Sequence, residues 1–118
     1  MKYLLLIYGD ERALGDEERQ RCYGESAHLA RELKASGKFL STAPLQDTPT
    51  ASSVRVRGGK RLVTDGPFAE TREQLGGFFM VDVKDREEAI GIAARIPGAS
   101  RGTVEVRPVV ELANLPEI

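Results

Sequence analysis

A chain of 118 residues carrying 17 Lys and Arg against 18 Asp and Glu has a formal net charge of −1, with 30% of its residues charged. That length predicts one domain over residues 1–118 with a real core and some apolar surface left for a partner, and the cancelled charge excludes the basic footprint of a nucleic-acid binder. The lone cysteine, Cys22, excludes an intramolecular disulfide and fits a reducing cytoplasm, while neither a signal peptide nor a membrane span is expected.

The run from Tyr3 to Tyr8 is apolar at every position, which predicts a central strand covered on both faces. Gly9-Asp10 and Gly15 break the run, and Asp16 is placed to cap a helix with Glu17 and Glu18 in its first turn. Cys22, Ser26, Leu29, Ala30 and Leu33, with Tyr23 at the edge, form one face of that helix, and Gly37 closes it. A short strand follows at Lys38 to Thr42, then an irregular connection from Pro44 to Pro49.

Val54 to Arg57 and Lys60 to Thr64 flank Gly58-Gly59, the spacing of a two-residue hairpin. In that register Val54, Val56 and Val63 share one face, and Arg55, Arg57, Lys60 and Leu62 share the other. A strand continued to Asp65 puts this carboxylate on the valine side, the side expected to face the interior. Asp65-Gly66-Pro67-Phe68-Ala69-Glu70 then forces an abrupt change of direction, with Gly66 expected to be extended before the proline and Pro67 expected to open a short helical turn. Asp65 at this corner suits either of two jobs, capping that turn or acting as an acid/base in a cleft.

Gly76-Gly77 leads into Phe78-Phe79-Met80-Val81-Asp82-Val83, a second central strand. Asp85 and Glu88 have capping-box spacing ahead of a helix bearing Ala89, Ile90, Ala93 and Ala94, and Pro97-Gly98 stops it. The last strand runs from Thr103 to Arg107, and the tail from Glu111 to Ile118 has no clear period. The order predicts an α+β, ferredoxin-like unit with an inserted hairpin. Its two helices cover one face of the sheet, so a second copy of the chain is the economical cover for the other.

No metal-ligand cluster, phosphate-binding glycine loop or Ser-His-Asp set is present in the sequence, and no cofactor is expected. His28 is the one side chain whose ordinary pKa lies near neutrality, although on a helical wheel it falls roughly opposite the Leu29/Leu33 stripe. His28 is the obvious candidate base, weighed against a plain surface histidine, and Asp65 is the candidate acid/base, so these two are the candidate catalytic residues. Glu70, Arg107 and Tyr8 are the candidate substrate-binding residues. Asp65, Glu70 and Glu73 together form a carboxylate cluster that Arg72 could neutralise, and in a dry pocket one member would act as a general acid. Tyr3 and Tyr8 lie on opposite faces of the first strand, so at most one of them lines any given cavity.

The run Thr64 to Gly77, with Asp65-Gly66-Pro67-Phe68 at its head, resembles the signature of the DGPF-domain, or YCII-related, family. Met1 to Asp10, Val54 to Arg57 and Val104 to Pro108 extend the resemblance over most of the chain. The resemblance implies a dimeric α/β-barrel of ferredoxin-like protomers, mostly bacterial. Some relatives are associated with extracytoplasmic-function sigma factors, and a few are dehydrochlorinase-like enzymes using a His–Asp pair. His28 in Ala27-His28-Leu29-Ala30-Arg31 matches the histidine position, whereas Ala35 and Ser36 stand where that branch has its aspartate, leaving Asp65 to substitute. The expectation is a cytoplasmic homodimer that works on a small organic molecule by acid/base chemistry. The competing expectation is a non-catalytic ligand-binding or regulatory module working with a sigma factor.

Overall fold

The two strongly apolar runs do pair at the centre of the molecule. A computed structural model describes residues 1–113. Its elements are β1 (Lys2–Gly9), α1 (Asp16–Ala35), β2 (Phe39–Pro44), β3 (Ser52–Arg57), β4 (Lys60–Asp65), β5 (Gln74–Asp82), α2 (Arg86–Arg95) and β6 (Thr103–Pro108), with 3-10 turns at Thr48–Thr50 and Pro97–Ser100. One sheet has the order β2-β5-β1-β6 with every neighbouring pair antiparallel, and β3-β4 form a separate two-stranded sheet. This arrangement is consistent with a ferredoxin-like α+β fold. Part of the tail, residues 114–118, lies outside the described residues.

Strand alternation divides the sheet into two faces. Tyr3 pairs with Val81 and Leu5 with Phe79 on the face that meets the helices, where Leu29 and Leu33 of α1 and Ala89, Ile92 and Ala93 of α2 complete the core. Burying each of the larger side chains contributes about 1.5–3 kcal/mol. Leu4 with Met80 and Leu6 with Phe78 lie on the opposite face, half-buried and covered by no helix. Gly76 is the extra residue of a bulge in β5 between the pairs Ile7–Gly77 and Tyr8–Leu75. β5 begins at Gln74, earlier than the sequence suggests, and runs through both glycines, and a Cβ on Gly77 would sit 3.0 Å from the Ala43 carbonyl oxygen of β2.

The helix ends follow local chemistry. Gly15, not Asp16, is the N-cap of α1, and Asp16 joins Glu17 and Glu18 in the first turn, where the exposed N–H groups favour negative charge. At its C-terminus the Lys38 N–H donates to the Leu33 carbonyl and the Gly37 N–H to the Lys34 carbonyl, with Gly37 at φ +74°. These are the two bonds of a Schellman motif. Asp85 caps α2 by accepting the Glu88 N–H at 2.9 Å, and Glu88 reaches back to the Lys84 N–H rather than to that of the cap residue.

The hairpin has the expected register, Val54 with Val63 and Arg55 with Leu62, and Gly58 and Gly59 both take positive φ. Its surroundings differ from expectation. Val54, Val56 and Val63 are 60%, 61% and 58% exposed, so in one chain the valine side of the ribbon faces solvent. The ribbon stands away from the four-stranded body, and the radius of gyration is 16.2 Å against about 13.5 Å for a compact chain of this length.

The corner after Asp65 also differs, since the segment from Gly66 to Glu73 is irregular and contains no helical turn. Gly66 is held at φ +103°, its N–H donating to the Ala51 carbonyl at 2.7 Å and its carbonyl accepting from Ser53 Oγ at 2.8 Å. This clamp to the start of β3 and the residue before it directs the backbone away from the extended form that the following proline favours.

Candidate functional site

The helices do not close over the whole sheet. At the end where β1 leaves it, a cavity of about 300 Å³ lies between the N-terminal half of α1, the β2 end and the turn at residues 97–102. Ile7, Leu14, Phe79 and Ile96 contribute apolar wall, and Asp10, Glu11, Arg19, Cys22, Asp47 and Arg101 contribute the polar chemistry. A mostly apolar concavity with a few convergent polar groups is the usual form of a small-molecule site.

Most of the charged groups on this wall already have partners. Glu11 accepts the Thr48 N–H at 2.7 Å and the Thr48 hydroxyl at 2.8 Å, which ties the β2–β3 connection to the end of β1. Arg19 donates to Asp47 at 3.0 Å and to the Glu11 carbonyl at 3.1 Å. The hydrogen bond to Asp47, then its charge, raises the guanidinium pKa above its ordinary value. Asp10 accepts the Arg12 N–H at 2.9 Å, and its second oxygen lies 3.8 Å from Arg72 Nε. Arg101 instead contacts Cys22 Sγ through one terminal nitrogen.

The turn carrying Arg101 rests directly on β1. A Cβ on Gly98 would be 2.7 Å from Ile7 Cγ2, and one on Gly102 would be 2.1 Å from the Tyr8 carbonyl oxygen. The Gly102 N–H closes the turn on the Gly98 carbonyl at 2.8 Å.

Among the five residues expected from sequence, Tyr8 borders this cavity and the others do not. Asp65 is exposed at the end of β4, and among the described residues its carboxylate neither caps a turn nor makes another hydrogen bond. His28 stands on the solvent side of α1 with its side chain 71% exposed, 3.1 Å from Glu32 at i+4. Glu70 is exposed in the irregular segment. Arg107 lies on β6, where its Nε donates to Glu105 at 3.1 Å, and that hydrogen bond followed by the carboxylate charge raises its pKa. The acidic cluster is dispersed as well. Glu73 accepts from Thr103 Oγ1 at 2.9 Å, and Arg72 approaches Asp10.

The sequence reading missed Asp10, Glu11, Arg19, Asp47 and Arg101, which come from separate segments joined only by the fold. The available signal was the pair Gly98 and Gly102 bracketing Arg101, since glycines spaced this way mark a close approach of backbone. Among the described residues no three His, Cys, Asp or Glu side chains are grouped to hold a metal ion, and no helix is long and apolar enough to cross a membrane.

Comparison with known proteins places this chain in a family. An uncharacterised protein of Rhizobium meliloti (strain 1021) is 38% identical over 114 residues, which cover 92% of each chain. The family model for the YCII-related domain matches residues 1–113. The chain therefore belongs to the YCII-related domain family.

Proposed function

We propose that the protein is a homodimer that takes a small organic molecule into the cavity beside β1 and carries out proton transfer on it. The observation that carries this reading is the cavity itself, apolar over most of its wall and bordered by a carboxylate with capacity to spare. Asp10 is the base in this reading. Glu11 has each oxygen committed to Thr48 and Asp47 is committed to Arg19, whereas Asp10 holds one backbone N–H closely and Arg72 only at 3.8 Å. The dimer is supported by the uncovered face bearing Leu4, Leu6, Phe78 and Met80 and by the outward valines of the hairpin.

Catalytic roles for Asp65 and His28 need a second subunit, because within one chain both stand in solvent. The competing reading, a regulatory module working with a sigma factor, rests on the family resemblance alone.

A small-molecule screen read by thermal shift and by amide chemical shifts tests the proposal. Ligands are expected to move the amides of Cys22, Ser26 and Gly98. Ser26→Phe, which fills the cavity, is expected to abolish binding, and Asp10→Asn is expected to keep binding while lowering turnover by about 10²–10⁴-fold. Ligand binding unaffected by Ser26→Phe would remove the cavity from the proposal. Turnover unaffected by Asp10→Asn would remove the base.

A further inference from the structure

The acids on the cavity wall and the cation at its rim are unequally provided for. Both oxygens of Glu11 accept hydrogen bonds from Thr48, Asp47 faces Arg19, and Asp10 has the Arg12 N–H and Arg72 nearby. Arg101 has no carboxylate within 4.0 Å among the described residues, and the one side-chain hydrogen bond it makes there goes to a sulfur. A guanidinium presents five N–H donors in a planar fork that matches a carboxylate at two points. Its backbone support is unusually firm, since Gly98 and Gly102 let the turn lie against β1 at distances no Cβ would permit. A firmly seated turn thus carries a cation beside an apolar cavity with no carboxylate counter-ion among the described residues.

We infer that the cavity's ligand is a small organic carboxylate, its carboxylate anchored by Arg101 and its apolar body lying against Ile7, Leu14, Phe79 and Ile96. This inference rests on the proposed small-molecule role of the cavity and adds the charge and orientation of what enters. Cys22 engages one terminal nitrogen of the guanidinium from the α1 side, which leaves its other donors without a side-chain partner among the described residues. A single free arginine suits a monoanion better than a phosphate ester, which would need more donors.

The test uses three matched pairs, benzoate and benzamide, hexanoate and hexanamide, phenylacetate and phenylacetamide, titrated into the intact protein and followed by amide chemical shifts. At least one carboxylate is expected to move the amides of Cys22, Gly98 and Gly102 and to bind about tenfold more tightly than its amide. Arg101→Gln is expected to erase that preference by weakening the acid far more than the amide, and Arg101→Lys to retain part of it. Since Arg101 is exposed, the variants should keep the wild-type amide spectrum elsewhere, which separates lost anchoring from lost folding. Equal binding of acid and amide at these residues, or a preference that survives Arg101→Gln, overturns the anion inference and leaves the cavity reading in place. If no member of any pair moves these amides up to millimolar concentration, both fall.

Discussion

At the residue scale, glycines and one exposed carboxylate have effects out of proportion to their size. Gly102→Ala places a methyl 2.1 Å from the Tyr8 carbonyl oxygen, and the atoms it meets are all β1 backbone, which has little room to yield. A loss of about 3 kcal/mol is expected, measured by urea denaturation. Gly91→Ala in α2, where nothing lies near the added atom, is the control and is expected to stabilise by about 0.5–1 kcal/mol through helix propensity. Glu32 gives a pH prediction. Its hydrogen bond to Arg95, then the charge of Arg95 with help from His28, holds its carboxyl below the ordinary value. A depressed native pKa contributes stability that is present above the unfolded-state value, about 4.3 for Glu, and lost as pH falls through the native value. Arg95→Gln should therefore lower Tm at neutral pH, by a small amount because the pair is exposed, and the difference from wild type should vanish in acid. A difference that stayed constant down to acid pH would contradict this origin.

At the scale of elements, the outcome separates what local pattern encodes from what only packing decides. Tyr3–Tyr8 and Phe78–Val83 read as central strands because apolar residues at consecutive positions require cover on both faces, and they are the two inner strands of the sheet. The Gly58-Gly59 turn and the Gly37 stop were equally legible, since each needs a left-handed residue at a fixed place. Asp65 marks where such reading ends. Alternation assigned it correctly to the valine side of the ribbon, but alternation says nothing about whether that side has a neighbour. The turn after it was misread because Gly66 takes its shape from Ala51 and Ser53, partners more than a dozen residues away. The cavity was invisible for the same reason, its polar residues being contributed by β1's end, α1, the β2–β3 connection and the turn after α2. A local rule that did hold is the Asp85 cap, and Asp85→Ala is expected to cost about 1 kcal/mol with no effect on ligand binding.

For the whole molecule, the decisive fact is that half of its sheet and a complete hairpin have no cover of their own. Leu4, Leu6, Phe78 and Met80 form an apolar face, and Val54, Val56 and Val63 add a second apolar strip on the ribbon. The homodimer reading predicts a sedimentation coefficient of two chains at micromolar concentration. The double variant Val54→Lys, Val63→Lys changes a cross-strand pair and is expected to shift that equilibrium toward monomer while leaving the α1–α2 core intact. A wild-type chain that sediments as a monomer would remove the dimer, and with it any catalytic role for Asp65 or His28.

The separation of the ribbon from the body has one further result. Each of its strands finds hydrogen-bond partners in the other and little besides, so in an isolated chain it can melt without disturbing the sheet that holds Leu5 and Phe79. Its amide protons would then trade with deuterium from solvent on a fast clock, while those of β1 and β5 wait for the entire body to come apart. Association would merge the two clocks into one.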